Sequence, residues 1–390
     1  MKKNMFVSMV LVFCSTLFLL TFLAGGLYVF DMLARTNNVE ATSINAQRIS
    51  ENHATYKEIS RLKEDDITVF FQLKEQQKEE PITIAFAGDV MMDGSIERAM
   101  NKHGYNYPFL QVKKELEKVD YAIVNLETAV TKRGTPYSKQ YNFRTGPKSL
   151  KALKDAGFQM VSLANNHTMD YGEEGLVDTI DYINEIGLAY VGAGRNSEEA
   201  YAEEIIEIKG KKIAILGFSR VLPTGTWYAT PSKPGIASGY QVDRMLKIIE
   251  RVREDVDYLF VFMHWGIERQ QFPEPYQFKD ARAMIDAGAD GIIGAHPHVI
   301  QGLDFYKGKP IAYSLGNFLF PDYVSGLTAE SCVLTLIIDG DDIKMQYTPY
   351  QITGNQVAAL DHETIEKRLK ALKSLSYNVK RDGVLFVNPQ

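Results

Sequence analysis

From about residue 81 onward, short apolar runs alternate with longer amphipathic stretches. Runs of about four to eight apolar residues that end in polar residues or glycine are typical of buried β-strands. The runs are ITIAFAGD (82–89), YAIVNLE (121–127), QMVSLANNH (159–167), KIAILGF (212–218), YLFVFMHWG (258–266) and GIIGAHPH (291–298). Between them, segments such as GEEGLVDTIDYINEIG (172–187) place Leu176, Ile180 and Ile183 on one face of a helix. The alternation predicts an α/β fold.

The pattern changes after Pro310. Three strand-like segments follow with short links: PIAYSLGNFLF (310–320), SCVLTLIID (331–339) and DIKMQYTPYQI (342–352). Short links favour antiparallel neighbours, so we predict antiparallel strands of a second sheet or of a sheet edge. One helix is predicted at 361–375. The main domain is predicted at 81–355, and a C-terminal helix and tail at 356–390.

The N-terminus contains a long uncharged segment, since no charged residue occurs between positions 5 and 30. A membrane-spanning helix needs about 20 apolar residues. Lys2 and Lys3 precede the segment and Asp31 follows it, which favours a cytoplasmic N-terminus. We therefore predict a single-pass transmembrane helix at 1–31, a polar stalk at 32–80 and a main domain outside the cell membrane. A cleaved signal peptide is the alternative, and it also exports the chain.

Composition excludes two classes of protein. The net charge of −6 lacks the basic excess of a nucleic-acid binder. The 2 cysteines, Cys14 and Cys332, are too few for a disulfide framework. Both lie in apolar runs, so both are predicted to be free and buried.

Polar side chains stand at the ends of five predicted strands. They are Asp89, Asn125, Glu127, Asn165, Asn166, His167, His264, His296 and His298, and they include four of the 7 histidines. In α/β sheets, ligands bind outside the carboxyl ends of the strands. Carboxylate, amide and imidazole groups are ligands of Zn, Mn or Fe. The sequence therefore predicts a divalent metal site, with His167 as a proton donor to a departing group.

The chain resembles a known family. Its markers are GDVMMDG (88–94), NLET (125–128), ANNHTMDYG (164–172), VGAG (191–194), HWG (264–266), DAGADGIIGAHPHVIQG (286–302) and YSLGNFLF (313–320). They are similar to those of the CapA/PgsA family of capsule and poly-γ-glutamate synthesis proteins. The domain of that family is a variant of the calcineurin-like metallophosphoesterase fold, in which layered sheets are flanked by helices.

The resemblance implies one or two divalent ions. It assigns Asp89 and His298 to a first metal, and Asn166, His264 and His296 to a second, with Glu127 bridging the two and His167 as the proton donor. One position departs from the pattern. The superfamily has Asp-x-His at the first strand, whereas Met91 stands here. A thioether is a poor ligand for a hard ion, which places the first metal in doubt. Asp93 is either a substitute ligand or an exposed loop residue.

The resemblance also implies a function. We expect a membrane-anchored, extracytoplasmic metal-site protein of poly-γ-glutamate capsule biosynthesis or export, acting as a hydrolase or transferase. Its partners would be the membrane subunits of a polyglutamate synthetase and the anionic polymer. Two alternatives remain. One is a non-catalytic polymer-binding scaffold subunit of that complex, and the other is a general exported metallophosphoesterase.

Several residues around the site are weaker candidates. Arg144 and Arg269 are candidates for binding an anionic substrate, because arginine pairs with carboxylate and phosphate, or they are surface ion-pair residues. Asn125 and Asn317 are candidates for supporting the ligands. The loop TGTWYATPSKPG (224–235) is expected to lie over the site, either as a lid or as a packed loop.

Overall fold

The structure is a computed structural model that describes residues 80–389. The predicted transmembrane helix (1–31), nearly all of the predicted stalk (32–80) and Cys14 lie outside the described residues. Within 80–389, no helix is long and apolar enough to cross a membrane.

Strands and helices alternate through most of the described chain, as the apolar pattern predicted. The strands are β1 (Ile82–Val90), β2 (Tyr121–Leu126), β3 (Ala129–Val130), β4 (Arg144–Thr145), β5 (Met160–Ser162), β6 (Ala189–Val191), β7 (Ala193–Gly194), β8 (Glu204–Ile208), β9 (Lys211–Ser219), β10 (Gly235–Ile236), β11 (Tyr258–His264), β12 (Gly291–Ala295), β13 (Leu303–Tyr306), β14 (Lys309–Ala312), β15 (Asn317–Leu319), β16 (Glu330–Asp339), β17 (Asp342–Thr353), β18 (Gln356–Ala359), β19 (Lys380–Asp382) and β20 (Leu385–Val387). The helices are α1 (Ser95–His103), α2 (Lys113–Leu116), α3 (Lys148–Ala156), α4 (Gly172–Ile186), α5 (Ser197–Ala200), α6 (Val242–Arg253), α7 (Pro275–Asp286) and α8 (His362–Leu375).

Two large sheets carry the site. The first has ten strands, with the order β19-β20-β17-β16-β1-β2-β5-β6, while β15 pairs with β1 and β18 pairs with β17. The second has six strands, with the order β13-β14-β12-β11-β9-β8. The six predicted apolar runs each contain a strand: β1, β2 and β5 are parallel neighbours in the first sheet, and β9, β11 and β12 in the second. The predicted α/β class is confirmed.

The segments after Pro310 differ in part from the prediction. The prediction of an antiparallel sheet edge holds for β16 and β17, which pair antiparallel. However, β16 also pairs with β1, so these strands extend the first sheet and do not form a separate one. For β14 the antiparallel prediction is only partly right, because this strand pairs antiparallel with β13 but parallel with β12. For β15 the prediction is wrong, because this strand pairs parallel with β1.

The two sheets pack face to face, and helices cover their outer faces. Between the sheets, the Phe86 ring of β1 lies 6.2 Å from Phe260 and 6.1 Å from Phe262 of β11, centroid to centroid. The helices α1, α3 and α4 pack on the outer face of the first sheet, and α6 and α7 on that of the second. The result is four layers, which confirms the predicted layered sheets flanked by helices. Cys332 is buried and forms no disulfide with any described residue, as predicted.

A close backbone approach fixes the end of β1. A Cβ atom added at Gly88 would lie 1.9 Å from the carbonyl oxygen of Gly316. The pairing of β1 with β2 shifts register around Gly88, and this shift places Asp89 opposite Asn125. On the other side, Asp89 lies opposite Asn317 of β15. Glycine at position 88 thus permits the arrangement that brings these polar residues side by side.

Replacing Gly88 with alanine is expected to lower the free energy of unfolding by about 1–3 kcal/mol, because the methyl group would overlap a backbone oxygen. Thermal denaturation of the two proteins measures the effect. Gly146→Ala is a matched control, since a Cβ atom at Gly146 meets nothing within 4 Å. A Gly88→Ala melting temperature equal to that of the wild type would contradict the argument.

Candidate metal centre

The six predicted metal ligands lie together where strands of both sheets end. Asp89 is in β1, Glu127 follows β2, Asn166 follows β5, His264 ends β11, and His296 and His298 follow β12. Five of them form two overlapping groups, in each of which the ligand atoms lie within 4.8 Å of one another: Glu127 with His264 and His296, and Asp89 with Glu127 and His298. Glu127 belongs to both groups, which is the position of a bridging ligand.

The first group surrounds one face of Glu127. The His264 Nε2 atom lies 3.6 Å from Glu127 Oε1 and 2.7 Å from Asn166 Oδ1. The rings of His264 and His296 are 4.8 Å apart, centroid to centroid. Two imidazoles, a carboxylate and an amide oxygen therefore converge, and these are ligand types that zinc, manganese and iron accept.

The second group lies near the other carboxylate oxygen of Glu127, Oε2. The His298 Nδ1 atom is 3.3 Å from Asp89 Oδ2 and 3.9 Å from Glu127 Oε2. It also lies 2.9 Å from Asn317 Oδ1. Asp89 Oδ2 accepts a hydrogen bond from the His296 backbone N–H at 3.1 Å. Asn317 is thus in contact with a predicted ligand.

The turn that carries the two histidines is strained. His296 and His298 both have positive φ angles, 98° and 57°. Residues other than glycine seldom adopt this region, and where they do the strain is often stored at functional sites. The turn between β12 and β13 holds both rings toward the carboxylates.

Buried atoms in the centre lack hydrogen-bond partners. Both carboxylate oxygens of Glu127 and the Nδ1 atom of His296 are buried and have no hydrogen bond to any described residue. Burying a polar group without a partner is costly, and burying an unpaired charge is more so. Burial, together with the charge of Asp89, raises the pKa of Glu127 well above its usual 4.5. A divalent cation between these atoms would satisfy all three, so the residues present fit a metal ion.

The histidines of the centre divide into two protonation classes. Burial lowers the pKa of His264 and of His296 well below 6.5, so both rings are neutral at pH 7 and have a lone pair to offer. Burial alone would also lower the pKa of His298, but the charges of Glu127 and Asp89 outweigh it and raise the pKa to about 10. Without a metal, the His298 imidazolium is the positive charge that faces the two carboxylates.

Binding of an ion by Asp89, Glu127 and His298 is expected to release about one proton at pH 7, because a ligating imidazole must be deprotonated and the pKa of His298 is about 10 in the metal-free protein. Metal affinity should accordingly rise with pH across the neutral range. Calorimetric titration in buffers of different ionisation enthalpy counts the protons, and His298→Ala should reduce the count. Equal heats in all buffers would contradict the assignment.

Asn125 contacts candidate ligands from both sheets. Its Nδ2 group donates a hydrogen bond to Asp89 Oδ1 at 2.7 Å and lies 3.3 Å from His264 Nδ1. Its Oδ1 atom accepts a hydrogen bond from Asn165 Nδ2 at 3.1 Å. The structure therefore places Asn125 against one predicted ligand from each sheet, in a supporting position.

His167 lies beside the centre with partners of its own. Its Nδ1 atom is 2.8 Å from Asp170 Oδ2 and 3.2 Å from the Lys139 ammonium. Burial lowers the pKa of His167, while Asp170 acts in the opposite direction. If Nδ1–H donates to the Asp170 carboxylate, Nε2 is the atom that exchanges a proton with a ligand.

Two residues of this cluster had no role in the sequence prediction. Asp170 is fully buried and forms an ion pair with Lys139, whose Nζ atom lies 2.5 Å from Asp170 Oδ1. Lys139 also donates to the Asn166 backbone oxygen at 2.6 Å. Asp170 stands three positions after His167, a spacing that indicates contact within a tight turn. Lys139 lies in a loop 28 positions before His167, and no local pattern marks it.

The remaining candidates lie outside the two groups. Arg144 is exposed and stacks on Tyr171, with its guanidinium carbon 4.6 Å from the ring centroid. It lines a cavity of about 480 Å³ together with Asp93 and Glu97. Arg269 is exposed, and its backbone N–H donates to the Pro297 oxygen of the histidine turn at 2.7 Å. The structure shows no contact of either guanidinium with the predicted ligands.

The structure also shows the surroundings of Met91, of Asp93 and of the loop at 224–235. Met91 is buried in a small apolar cluster with Phe320, Ala329 and Ile352. Asp93 accepts backbone hydrogen bonds from Gly94 at 2.6 Å and Arg144 at 3.1 Å, and it belongs to neither group of candidate ligands. In the predicted overlying loop (224–235), Trp227 is buried and its ring centroid lies 5.3 Å from the Lys139 ammonium, so this part of the loop packs beside the His167 cluster.

Residues 83–322 match the family model described as bacterial capsule synthesis protein PGA_cap. The chain belongs to this family. The membership predicted from the motifs is thereby confirmed, and the matched segment contains every residue of the candidate metal centre.

Curated relatives agree with the family. The capsule biosynthesis protein CapA of Bacillus anthracis is 38% identical over 252 residues, which cover 63% of this chain and 61% of the relative. The PGA biosynthesis protein CapA of Bacillus subtilis (strain 168) is 36% identical over 242 residues, with coverages of 61% and 63%. The chain thus spans less than two thirds of the length of these two relatives. A probable polyglutamine synthesis accessory protein of Mycobacterium tuberculosis (strain ATCC 25618 / H37Rv) is 29% identical over 304 residues, with coverages of 73% and 79%.

Solved structures offer only distant likenesses. A hypothetical protein from Thermus thermophilus aligns with a TM-score of 0.44 and 15% identity, covering 69% of this chain and 98% of that one. The 5'-nucleotidase of Candida albicans SC5314 aligns with a TM-score of 0.40 and 11% identity, with coverages of 76% and 57%. At these scores the likeness assigns no activity to the chain.

Proposed function

We propose that this chain is a metal-dependent protein of poly-γ-glutamate capsule biosynthesis or export that works on the outer side of the cell membrane as a hydrolase or transferase. The main evidence for a metal ion is the environment of Glu127. Its buried carboxylate has no hydrogen-bond partner among the described residues, and it belongs to both groups of candidate ligands. Membership of the capsule synthesis family supports the proposal that the substrate is poly-γ-glutamate.

The ligand set supports one or two ions of manganese, zinc or iron. His264, His296, Asn166 and Glu127 would hold one ion, and Asp89, His298 and Glu127 the other. When bound, such ions polarise the bond under attack and lower the pKa of water toward neutrality. The resemblance of the motifs to calcineurin-like metallophosphoesterases supports this use of the site. So does the packing of two sheets face to face, with the ligands at the strand ends of both.

The residues next to the candidate ligands would supply the proton for the departing group. Asp170 accepts a hydrogen bond from Nδ1–H of His167, so that in the imidazolium form Nε2–H carries the proton that is given to the departing group. The ion pair of Lys139 with Asp170 keeps this imidazole fixed in one orientation. Asn125 keeps Asp89 and His264 in register. A binding site alone has no need of such an arrangement.

The cellular setting in this proposal comes from the N-terminal sequence. The uncharged segment at 5–30 would anchor the chain by one helix, with the N-terminus in the cytoplasm and the main domain outside. Membrane subunits of a polyglutamate synthetase would be the partners, because this domain would receive the polymer from them where the polymer leaves the membrane.

One observation favours a second candidate, a non-catalytic polymer-binding subunit. Met91 occupies the position where the resemblance places a histidine ligand, and it is buried in an apolar cluster. The ion held by Asp89, Glu127 and His298 would therefore have one ligand fewer than the superfamily pattern. A protein that retains a single ion can bind an anionic polymer without transforming it.

Polymer turnover distinguishes the two candidates. The full-length chain in detergent, loaded with Mn²⁺ or Zn²⁺, is incubated with poly-γ-glutamate, and the polymer length is followed by gel filtration. Metal-dependent shortening or transfer, abolished by a chelator, supports the enzyme. Polymer binding with no change in length supports the binding subunit. Hydrolysis of a generic phosphodiester without polymer binding would overturn both.

A further inference from the structure

Two ladders of aromatic contacts lead from histidines of the centre to exposed tyrosines. On one side, the Phe143 ring lies 4.5 Å from His167 and 6.4 Å from Tyr141, centroid to centroid. On the other, the Phe320 ring lies 5.0 Å from His298 and 6.4 Å from Tyr323. We call Tyr141, Phe143, Phe320 and Tyr323 the aromatic rim.

The two ladders share an apolar floor. Phe320 is buried in a cluster with Met91, and Phe143 packs against the same cluster. Met91 follows Asp89 by two positions in the chain, so the floor begins directly beside a predicted ligand. This cluster therefore joins the two ladders below the surface, next to Asp89 of the centre.

The outer ends of the rim are open. Tyr141 is 59% exposed and Tyr323 is 64% exposed, so core packing does not explain their rings. Partial burial, with the charges of Glu127, Asp93 and Tyr141, raises the pKa of Tyr323 to about 12.

A metal ion bound in the centre would supply positive charge at the inner end of the rim, and Arg144 follows Phe143 in the chain. A ligand that fits this surface therefore has a carboxylate for the centre and flat or apolar groups for the rings. A polyamide with carboxylate groups has both, since its amide planes and methylenes pack on aromatic faces.

We propose that the aromatic rim is a binding subsite for the amide and methylene groups of an anionic polyamide, one carboxylate of which reaches the metal centre. The inference rests on the proposed function and names residues that select its substrate. In this role the rings of Tyr141 and Tyr323 pack against the polyamide on either side of the centre. The metal centre binds only the carboxylate group of the polyamide.

The test is an affinity measurement on the full-length, metal-loaded chain. The probe is a fluorescein-labelled oligomer of γ-linked glutamate, followed by anisotropy. Tyr141→Leu and Tyr323→Leu each keep an apolar side chain but remove the ring, and each is expected to weaken binding about fivefold, with the double variant weaker still. Tyr141→Phe and Tyr323→Phe keep the ring and should bind like the wild type. Tyr240→Leu is the matched control, since Tyr240 is 53% exposed and belongs to neither ladder.

Two further measurements keep the outcomes distinct. Bound metal and the affinity for glutarate, a dicarboxylate too short to span the rim, should be unchanged in all variants. Leucine variants that bind the oligomer like the wild type overturn the rim proposal and leave the proposed function standing. A loss that appears with an acidic polysaccharide and not with the oligomer also overturns it. A metal-loaded wild type that binds no oligomer overturns the proposed function, and the rim proposal with it.

Discussion

Replacing Glu127 with glutamine is expected to lower metal affinity by more than about 100-fold and, at the same time, to stabilise the metal-free protein by about 1–3 kcal/mol. Glutamine has the shape of glutamate but cannot ionise. Both oxygens of Glu127 are buried without hydrogen-bond partners among the described residues, so its charge is a cost when no metal is bound. The same charge is the shared ligand of both groups.

The sign of the stability change follows from the pKa. Burial and Asp89 raise the pKa of Glu127 above 4.5, so the folded protein binds this proton more tightly than the unfolded chain. The wild type therefore loses stability as the pH rises above about 4.5 toward the raised pKa, and Glu127→Gln does not. Denaturation in a chelator at several pH values measures this, and metal analysis after dialysis measures retention. Retained metal, or a metal-free variant less stable than the wild type, would contradict the bridging position.

Replacing His167 with alanine is expected to lower turnover by about 100- to 10,000-fold, the usual effect of removing a general acid, while bound metal and polymer affinity stay unchanged. His167 is held by Asp170, which forms an ion pair with Lys139, and it belongs to neither group of candidate metal ligands. Rates, metal content and binding must be measured on the same preparations.

His362→Ala is the matched control for this variant, because His362 is an exposed histidine at the start of α8 and should have no effect. Asp170→Asn should give an intermediate loss, since it weakens the hold on His167 without removing the imidazole. A His167→Ala protein with near wild-type turnover would exclude the proton-donor role, whereas parallel losses of metal and activity would show that His167 acts through the ligands.

The convergence of the candidate ligands was predictable because each stands at the end of an apolar run. Strands β1, β2, β5, β11 and β12 have a local signature, and ligand sites lie at the carboxyl ends of such strands. The sequence did not reveal that His264, His296 and His298 come from a different sheet from Asp89 and Glu127. Sheet membership depends on pairings far apart in the chain, such as Ile82 with Ile338, and no local pattern records them.

The supporting residues were harder to predict for the same reason. Asp170 is close to His167 in the chain, and its spacing was a usable signal. Lys139 reaches the same imidazole from a separate loop, and Tyr141 and Tyr323 contact Phe143 and Phe320 in two different loops. Contacts of this kind arise from the packing of loops, which composition and periodicity do not determine.

Anomalous X-ray diffraction from crystals loaded with zinc would show whether the side chains around Glu127 hold a divalent metal ion. We expect a peak about 2.0–2.2 Å from the Glu127 carboxylate and from the rings of His264 and His296, and its absence in His264→Ala crystals. Zinc bound elsewhere on the chain, with no peak between these three side chains at saturating metal, would contradict the metal assignment.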